Sequence, residues 1–467
     1  MKIDNTVSLP KPEFVPPLDP EFRPAVLYNR DFRKGVEESR AGTDLILALE
    51  RPDGSISRFG TRVYADDHPR AGENTFYIER IVKFLIWQRG GCKLYVGGPG
   101  KIGNFIKECY SLEGERTFDY SFLGEDVYEK TFTVVPCEVD EVPQASESEK
   151  QLGGHLDGYR IGFDLGASDL KVSAVVDGQA TFSSEIIWEP RIQSDPQYHR
   201  GKIKAALELA ASKMPRLDAI GGSSAGVYIN NRPMIASLFR GIPKDRYNEV
   251  HNMFLEMRQE MGVPLEVVND GEVTALAGSM ALEDNGVLGI AMGSSEASGY
   301  ITQNGKITNW LNELSFAPVD YNPNAPTDEW SGDQGVGGLY FSQQCVFRLA
   351  PKVGIEIPSE STDAEKLKVV QGYLEQGDEG AAKIWQSIGF YLGYSIAHYA
   401  EFYDLKHVLI LGRCTSGKGG AIILDGATQV LTAEFPDLSS QINIQLPDEK
   451  FRRVGQSIAA ASLPKIE

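Results

Sequence analysis

Apolar runs of strand length, closed by glycine or proline turns, alternate along most of the chain with longer stretches of helical periodicity. From Asp44 the run LILALE, the turn Pro52-Asp53-Gly54 and the segment SISRFGTRVY predict a β-hairpin, with Asp-Gly supplying the turn. A helix is expected over roughly Asn74 to Gln88. The strand KLYV, the turn Gly97-Gly98-Pro99-Gly100 and a second helix, IGNFIKECY, follow. A polar, acidic stretch from Glu138 to Lys150 breaks this pattern and reads as a linker.

Beyond the linker, RIGFDLGASDLKVSAVVDGQATFSSEIIW gives three β segments joined by short turns, then a helix near Lys202 to Ser212. DAIGGSSAGVYI is a further strand, Asp245 to Met261 a long amphipathic helix, LEVV a strand, Asn269-Asp270-Gly271 a turn and Glu272 to Leu282 a helix. The plan then starts again in VLGIAMGSSEASGYITQNGKITNW. Loop glycine and turn glycine are 12 residues apart in both copies, Gly166 to Gly178 and Gly293 to Gly305, so two lobes on one plan are expected. A later helix, Ala381 to Tyr403, carries Ile384, Ile388, Leu392 and Ile396 in i, i+4 register and leads into HVLILGRCTSGKGG, a strand opening onto a glycine loop.

The expected organisation is an arm over residues 1–40, an N-terminal α/β domain over 41–150 and a two-lobed domain over 151–467. Six prolines by Pro24 keep the arm extended, and its order depends on docking along another domain. The order of hairpin, helix, strand and glycine turn in 41–150 echoes the start of the second domain. It is read as an unrelated α/β accessory module, with a degenerate half-repeat as the other reading.

Composition narrows the function classes. With 42% hydrophobic and 24% charged residues the chain can bury large cores, and a formal charge of −19, spread along the chain, would repel a nucleic-acid backbone or an anionic membrane. No stretch approaches the ~20 apolar residues that span a bilayer, and the proline-rich N-terminus has no apolar leader core. Five dispersed cysteines without a CxxC pair read as reduced thiols of a cytoplasmic protein.

Each candidate for chemistry has a plain structural alternative. In Asp164-Leu165-Gly166-Ala167-Ser168 backbone amides could face a phosphate while Asp164 approaches its metal ion through water; the alternative is a simple strand turn. Gly293-Ser294-Ser295-Glu296-Ala297-Ser298-Gly299 would form the opposing phosphate loop, with the hydroxyls of Ser294, Ser295 and Ser298 as donors, or else a hairpin. Asn269-Asp270 sets a carboxylate where a strand meets a helix, which suits a general base facing a hydroxyl; the alternative is Asp270 as helix N-cap. Glu313 could bind sugar hydroxyls or be solvated. Gly412 to Gly420 could cradle an adenosine or close a strand–helix turn, and Lys418 lacks the spacing of a phosphate-loop lysine. His398, on an apolar helix, reads as a packed residue.

Taken together these segments resemble the ROK family of bacterial sugar kinases and regulators, within the actin/hexokinase/Hsp70 superfamily. The resemblance runs from about Tyr159 to Pro464. IGFDLGAS is similar to the family's first phosphate segment, and IGGSSAGVYINN, with Gly226, to its glycine-bearing sugar-lobe strand. MGVPLEVVNDGEVTALAG resembles the segment with the sugar-binding Asn and catalytic Asp, here Asn269 and Asp270. AMGSSEASGYITQNGKI resembles the second phosphate loop, NELSFAPV the sugar segment with Glu313, and LILGRCTSG the adenosine segment with Gly412. The implied fold class is α/β, a duplicated ribonuclease-H-like, actin-like ATPase fold of two lobes with an additional N-terminal α/β domain.

The departures carry weight too. Phe316 stands where the family has a histidine that contacts sugar and zinc, and NPNAPTDEWSGDQGVGG replaces its cysteine-rich zinc motif, so no zinc is expected. Ser295, Ala297 and Ser298 replace glycines of the phosphate loop, and Arg413 and Cys414 replace glycines of the adenosine loop. The N-terminal domain shows no helix-turn-helix pattern and no basic face, unlike the family's repressors. The resemblance implies ATP-dependent phosphorylation of a hexose or related polyol with Mg, and sugar and nucleotide as ligands. The alternative is a catalytically silent sugar-binding or sensory protein. Sugar identity stays open, as does oligomeric state, with a homo-oligomer among the options.

Overall fold

A computed structural model describes residues 7–147, 149–150 and 152–466. The chain forms two compact units, Met1–Ser148 with Ile290–Ala297 and Trp310–Leu446, and Glu149–Gly289 with Ser298–Asn309 and Pro447–Glu467. Residues 41–150, expected as a separate domain, thus share a unit with the 310–446 region.

The N-terminal hairpin forms from Gly42–Glu50 and Ile56–Tyr64, closed by a turn in which Gly54 takes φ 82°. Lys93–Gly97 joins the first of these strands antiparallel, and Thr133–Cys137 joins Lys93–Gly97 in parallel. In the second unit the strand after the helix, Ala219–Ser224, instead joins the opening strand Tyr159–Leu165 in parallel. The strand after the helix therefore runs in opposite directions in the two sheets.

The arm departs from expectation in one part. Residues 7–23 contain no helix or strand and are docked, with Phe22 edge-on to Tyr391 at 4.7 Å and the Leu18 amide donating to Ser387 Oγ at 3.3 Å. Residues Ala25–Ser39 are helical, not extended. The prolines end at Pro24, where proline blocks no intrahelical hydrogen bond, and Phe32 and Val36 then bury one helical face.

The duplication is visible in strand order. Tyr159–Leu165, Asp169–Val176 and Gln179–Ile187 form the first meander, with Ala219–Ser224 and then Leu265–Asn269 added in parallel on the side of the opening strand. In the other sheet Val287–Met292, Glu296–Ile301 and Ile307–Thr308 run in the same order, with His407–Leu411 and then Asn443–Gln445 in the corresponding places.

The Asn74–Arg89 helix is buried on nearly all sides, so its charges must be paired. Glu79 accepts from Arg80 and Arg116, each at 2.6 Å; Lys83 donates to Asp119 at 2.6 Å; and Arg116 donates to Asp333 at 2.8 Å. Arg80 and Lys83 also lie 3.4 and 3.5 Å from Asp333. Burial opposes ionisation of Glu79, but Arg116 and Arg80 outweigh it and hold the carboxyl at about 2; Arg80, Lys83 and Arg116 likewise hold Asp333 far below the ordinary carboxylate range.

Replacing Asp333 by Asn should leave three buried cations undercompensated and lower stability by about 3–5 kcal/mol near neutral pH. Because both folded carboxyls titrate below their unfolded values, their stabilisation is complete above the ordinary carboxylate range and lost as pH falls toward 2. Denaturant melts of both proteins from pH 7 down to 2 should therefore show a gap that is constant above about pH 4 and narrows below it. A gap constant throughout would contradict this account.

Candidate active site

In the second unit three parallel strands end at one level. Pairing sets Asp164 beside Ser223, and Ser224 between Leu165 and Asn269, so their carboxyl ends carry a row of polar groups where open α/β sheets bind ligands. Asn269 is the N-cap of the Asp270–Leu282 helix, with its Oδ1 accepting from the Gly271 amide at 2.7 Å. Its Nδ2 donates to the Gly226 carbonyl at 2.8 Å, which fixes the side chain at both ends. Gly226 has φ 120°, and a Cβ there would lie 2.3 Å from the Ile235 carbonyl oxygen, so only glycine fits.

Asp270 follows the cap and is half-buried, its Oδ1 accepting from the Gly271 amide at 3.0 Å. Burial and the nearby Asp164 carboxylate push its pKa up to about 6, against a pull down from that amide. Burial raises Asp164 as well. The helix start is fixed by backbone contact: a Cβ on Gly299 would fall 2.2 Å from the Gly271 carbonyl. Two groups that sequence reasoning missed stand here, Ser224 and Tyr228, whose hydroxyls bond at 2.6 Å; Tyr228 also feels the Asp270 charge. Their signal, hydroxyls spaced i, i+4 at the end of a strand, is too common to single them out.

Asp164 leads into the tight turn holding Gly166 and Ser168. The Gly166 amide donates to the Asp169 carbonyl at 2.9 Å, so this amide closes the turn. The Gly166 carbonyl accepts from the Trp188 indole at 2.9 Å, and Ser168 is exposed.

The first unit holds the remaining candidates except Ser298, which belongs to the second. In the loop after Met292, Ser294 and Ser295 are exposed, and the Gly293 amide donates to the Ser295 carbonyl at 3.0 Å. Ser298, expected as a third donor, is buried because it lies within the following strand. Gly412 takes φ 99°, and a Cβ on it would lie 2.5 Å from the Met292 carbonyl oxygen, so the two loops meet through backbone. Gly338 lies between the Ser315 carbonyl and the Ser295 hydroxyl, 3.2 and 3.7 Å from its Cβ position. The glycine pair Gly337-Gly338 thereby joins the Ser295 loop to the Glu313 segment, a role that no sequence periodicity signals.

Glu313 is half-buried, its amide donating to the Trp87 carbonyl at 3.0 Å. Phe316 packs on Trp87 at 4.3 Å instead of offering a ligand. His398 is buried against Phe84 and Phe402, and burial lowers its pKa to about 3, as a packed neutral residue requires. Among the described residues no three His, Cys, Asp or Glu side chains are grouped to hold a metal ion, and no helix is long and apolar enough to cross a membrane.

No protein-family model and no curated protein matches the chain. Solved structures do. A ROK family transcriptional regulator, described as a homolog of the E. coli MLC protein, aligns with TM-score 0.53 and 16% identity over 66% of this chain and 79% of its own. The ROK hexokinase from Thermus thermophilus aligns with TM-score 0.51 and 14% identity over 65% of this chain and 97% of its own. The chain shares the duplicated fold of these two ROK proteins.

Gly226→Ala should cost about 1–3 kcal/mol through its positive φ and the clash with Ile235, and should release the Asn269 amide. A thermal melt and the amide exchange rate of Gly271 report the two effects. Unchanged exchange in a destabilised variant would separate Gly226 from the Asn269 clamp.

Proposed function

We propose that this protein is an ATP-dependent kinase of a hexose or related polyol, acting in the cytoplasm. The observation that carries the reading is Asp270: a half-buried carboxylate beside a clamped amide, at the ends of parallel strands, with its pKa raised to about 6. A carboxylate so tuned can take the proton of an acceptor hydroxyl near neutral pH. Asn269, clamped by Gly226, keeps one amide hydrogen and a lone pair for neighbouring hydroxyls in the second unit, and Glu313 is the sugar candidate of the first. Bound Mg–ATP would supply the phosphoryl group. In the second unit Asp164 is a hard oxygen donor suited to the hydrated Mg ion, with Gly166 and Ser168 as phosphate candidates; in the first unit Gly293, Ser294 and Ser295 are phosphate candidates and Gly412 the adenosine candidate.

A second reading, a sugar-binding sensor without efficient nucleotide use, is favoured by one feature. The Lys418 amide at the start of the Lys418–Glu434 helix donates to Glu375 Oε1 at 2.9 Å, and Lys418 Nζ to the Glu375 carbonyl at 2.8 Å. A carboxylate of the chain thus occupies a helix start that could otherwise receive an anion.

Asp270→Asn should retain sugar affinity and lower turnover by about 10²- to 10⁴-fold. In the wild type, kcat/KM should fall as pH drops through about 6, because the base is then protonated, and the variant should lose this limb. A coupled ADP assay from pH 5 to 8 with a hexose panel measures both. Sugar binding without turnover in the wild type would favour the sensor.

A further inference from the structure

Trp330 is the one exposed tryptophan of the five, with 59% of its surface accessible. It is nevertheless held firmly. Phe118, Phe122 and Phe316 meet it edge-to-face at 5.7, 5.4 and 5.4 Å. The turn that carries it is pinned by Asp328, whose Oδ2 accepts from both the amide and the hydroxyl of Ser331 at 2.6 Å, and whose carbonyl accepts from the Gly332 amide at 2.9 Å. Asp333 then anchors the turn to the three buried cations.

A rigid aromatic ring left in water forgoes burial and is already ordered, two properties that favour a binding role over a packing role. Its neighbourhood narrows the ligand. Phe316 touches Trp330 and lies in the same short turn as Glu313, the Phe316 amide donating to the Glu313 carbonyl at 3.2 Å. A ring-sized apolar surface that Phe316 links to the segment carrying an acidic residue matches a pyranose, which has C–H faces and a rim of hydroxyls.

We propose that Trp330, supported by Phe118 and Phe316, is a stacking platform for the C–H face of the sugar whose hydroxyls Glu313 binds. It is a specificity-determining residue that selects sugars with an unbroken apolar face. The inference rests on the sugar-binding reading of Glu313 but not on turnover, so it holds for a kinase and for a sensor.

The test is calorimetric titration of the full-length protein with D-glucose, D-mannose, D-galactose and N-acetyl-D-glucosamine, repeated on W330A and W330F. For a sugar that binds the wild type, Kd should rise about 10-fold in W330A, and W330F, which keeps a flat ring, should recover most of the affinity. The fluorescence difference between wild type and W330F should change on sugar addition, a readout that a merely structural role would not move. Equal Kd in wild type and W330A would overturn the platform and leave the sugar reading intact. W330F as weak as W330A would also count against stacking. A wild type that binds none of the four sugars would overturn both.

Discussion

Asp333 faces three buried cations, and much of the first unit depends on that arrangement. The segment around it is rich in proline, glycine and polar residues and has little apolar surface of its own. Ion pairs to Arg80, Lys83 and Arg116 tie it to the buried Asn74–Arg89 helix. Two residues on, the Gly335 carbonyl accepts from the amides of Val319 and Asp320, and a Cβ on Gly337 would lie 2.4 Å from Glu296. The position of the Ser294-Ser295 loop therefore traces back to a buried electrostatic contact.

Backbone contact is the second constraint. Gly226, Gly271, Gly299 and Gly412 each come so close to another main chain that a side chain would collide with it. Ser295 and Ser298 show the complement. They occupy positions expected to be glycine, yet the Ser298 side chain is buried in the strand and that of Ser295 is exposed. Gly271 meets the Ser298 carbonyl, so the serine there touches a main chain through its backbone and not through its side chain.

Most elements were legible because hydrophobic period and turn chemistry are local. The hairpin at Asp53-Gly54, the Asn74–Arg89 helix and the two meanders follow from residues that touch their sequence neighbours. The equal spacing of Gly166 to Gly178 and Gly293 to Gly305 corresponds to a true repeat of strand order. The rest was not legible, because there neighbours mislead or distant partners decide. Prolines up to Pro24 hid the helix that begins at Ala25. The direction of Lys93–Gly97 depends on pairing with a strand more than forty residues earlier. The partner of Arg80 lies 253 residues away, and no local pattern announces it.

At the candidate site the decisive local question was whether Asp270 is anything more than a helix cap. Capping needs one side-chain acceptor for the first free amides, and Asn269 supplies it at 2.7 Å. Asp270 accepts from the same Gly271 amide at the longer distance of 3.0 Å, so its carboxylate adds little that the helix lacks. It is nonetheless kept in a half-buried place, within the field of Asp164, where ionisation is opposed. A group that caps redundantly is open to another task, and a raised pKa suits the proton transfer proposed for it.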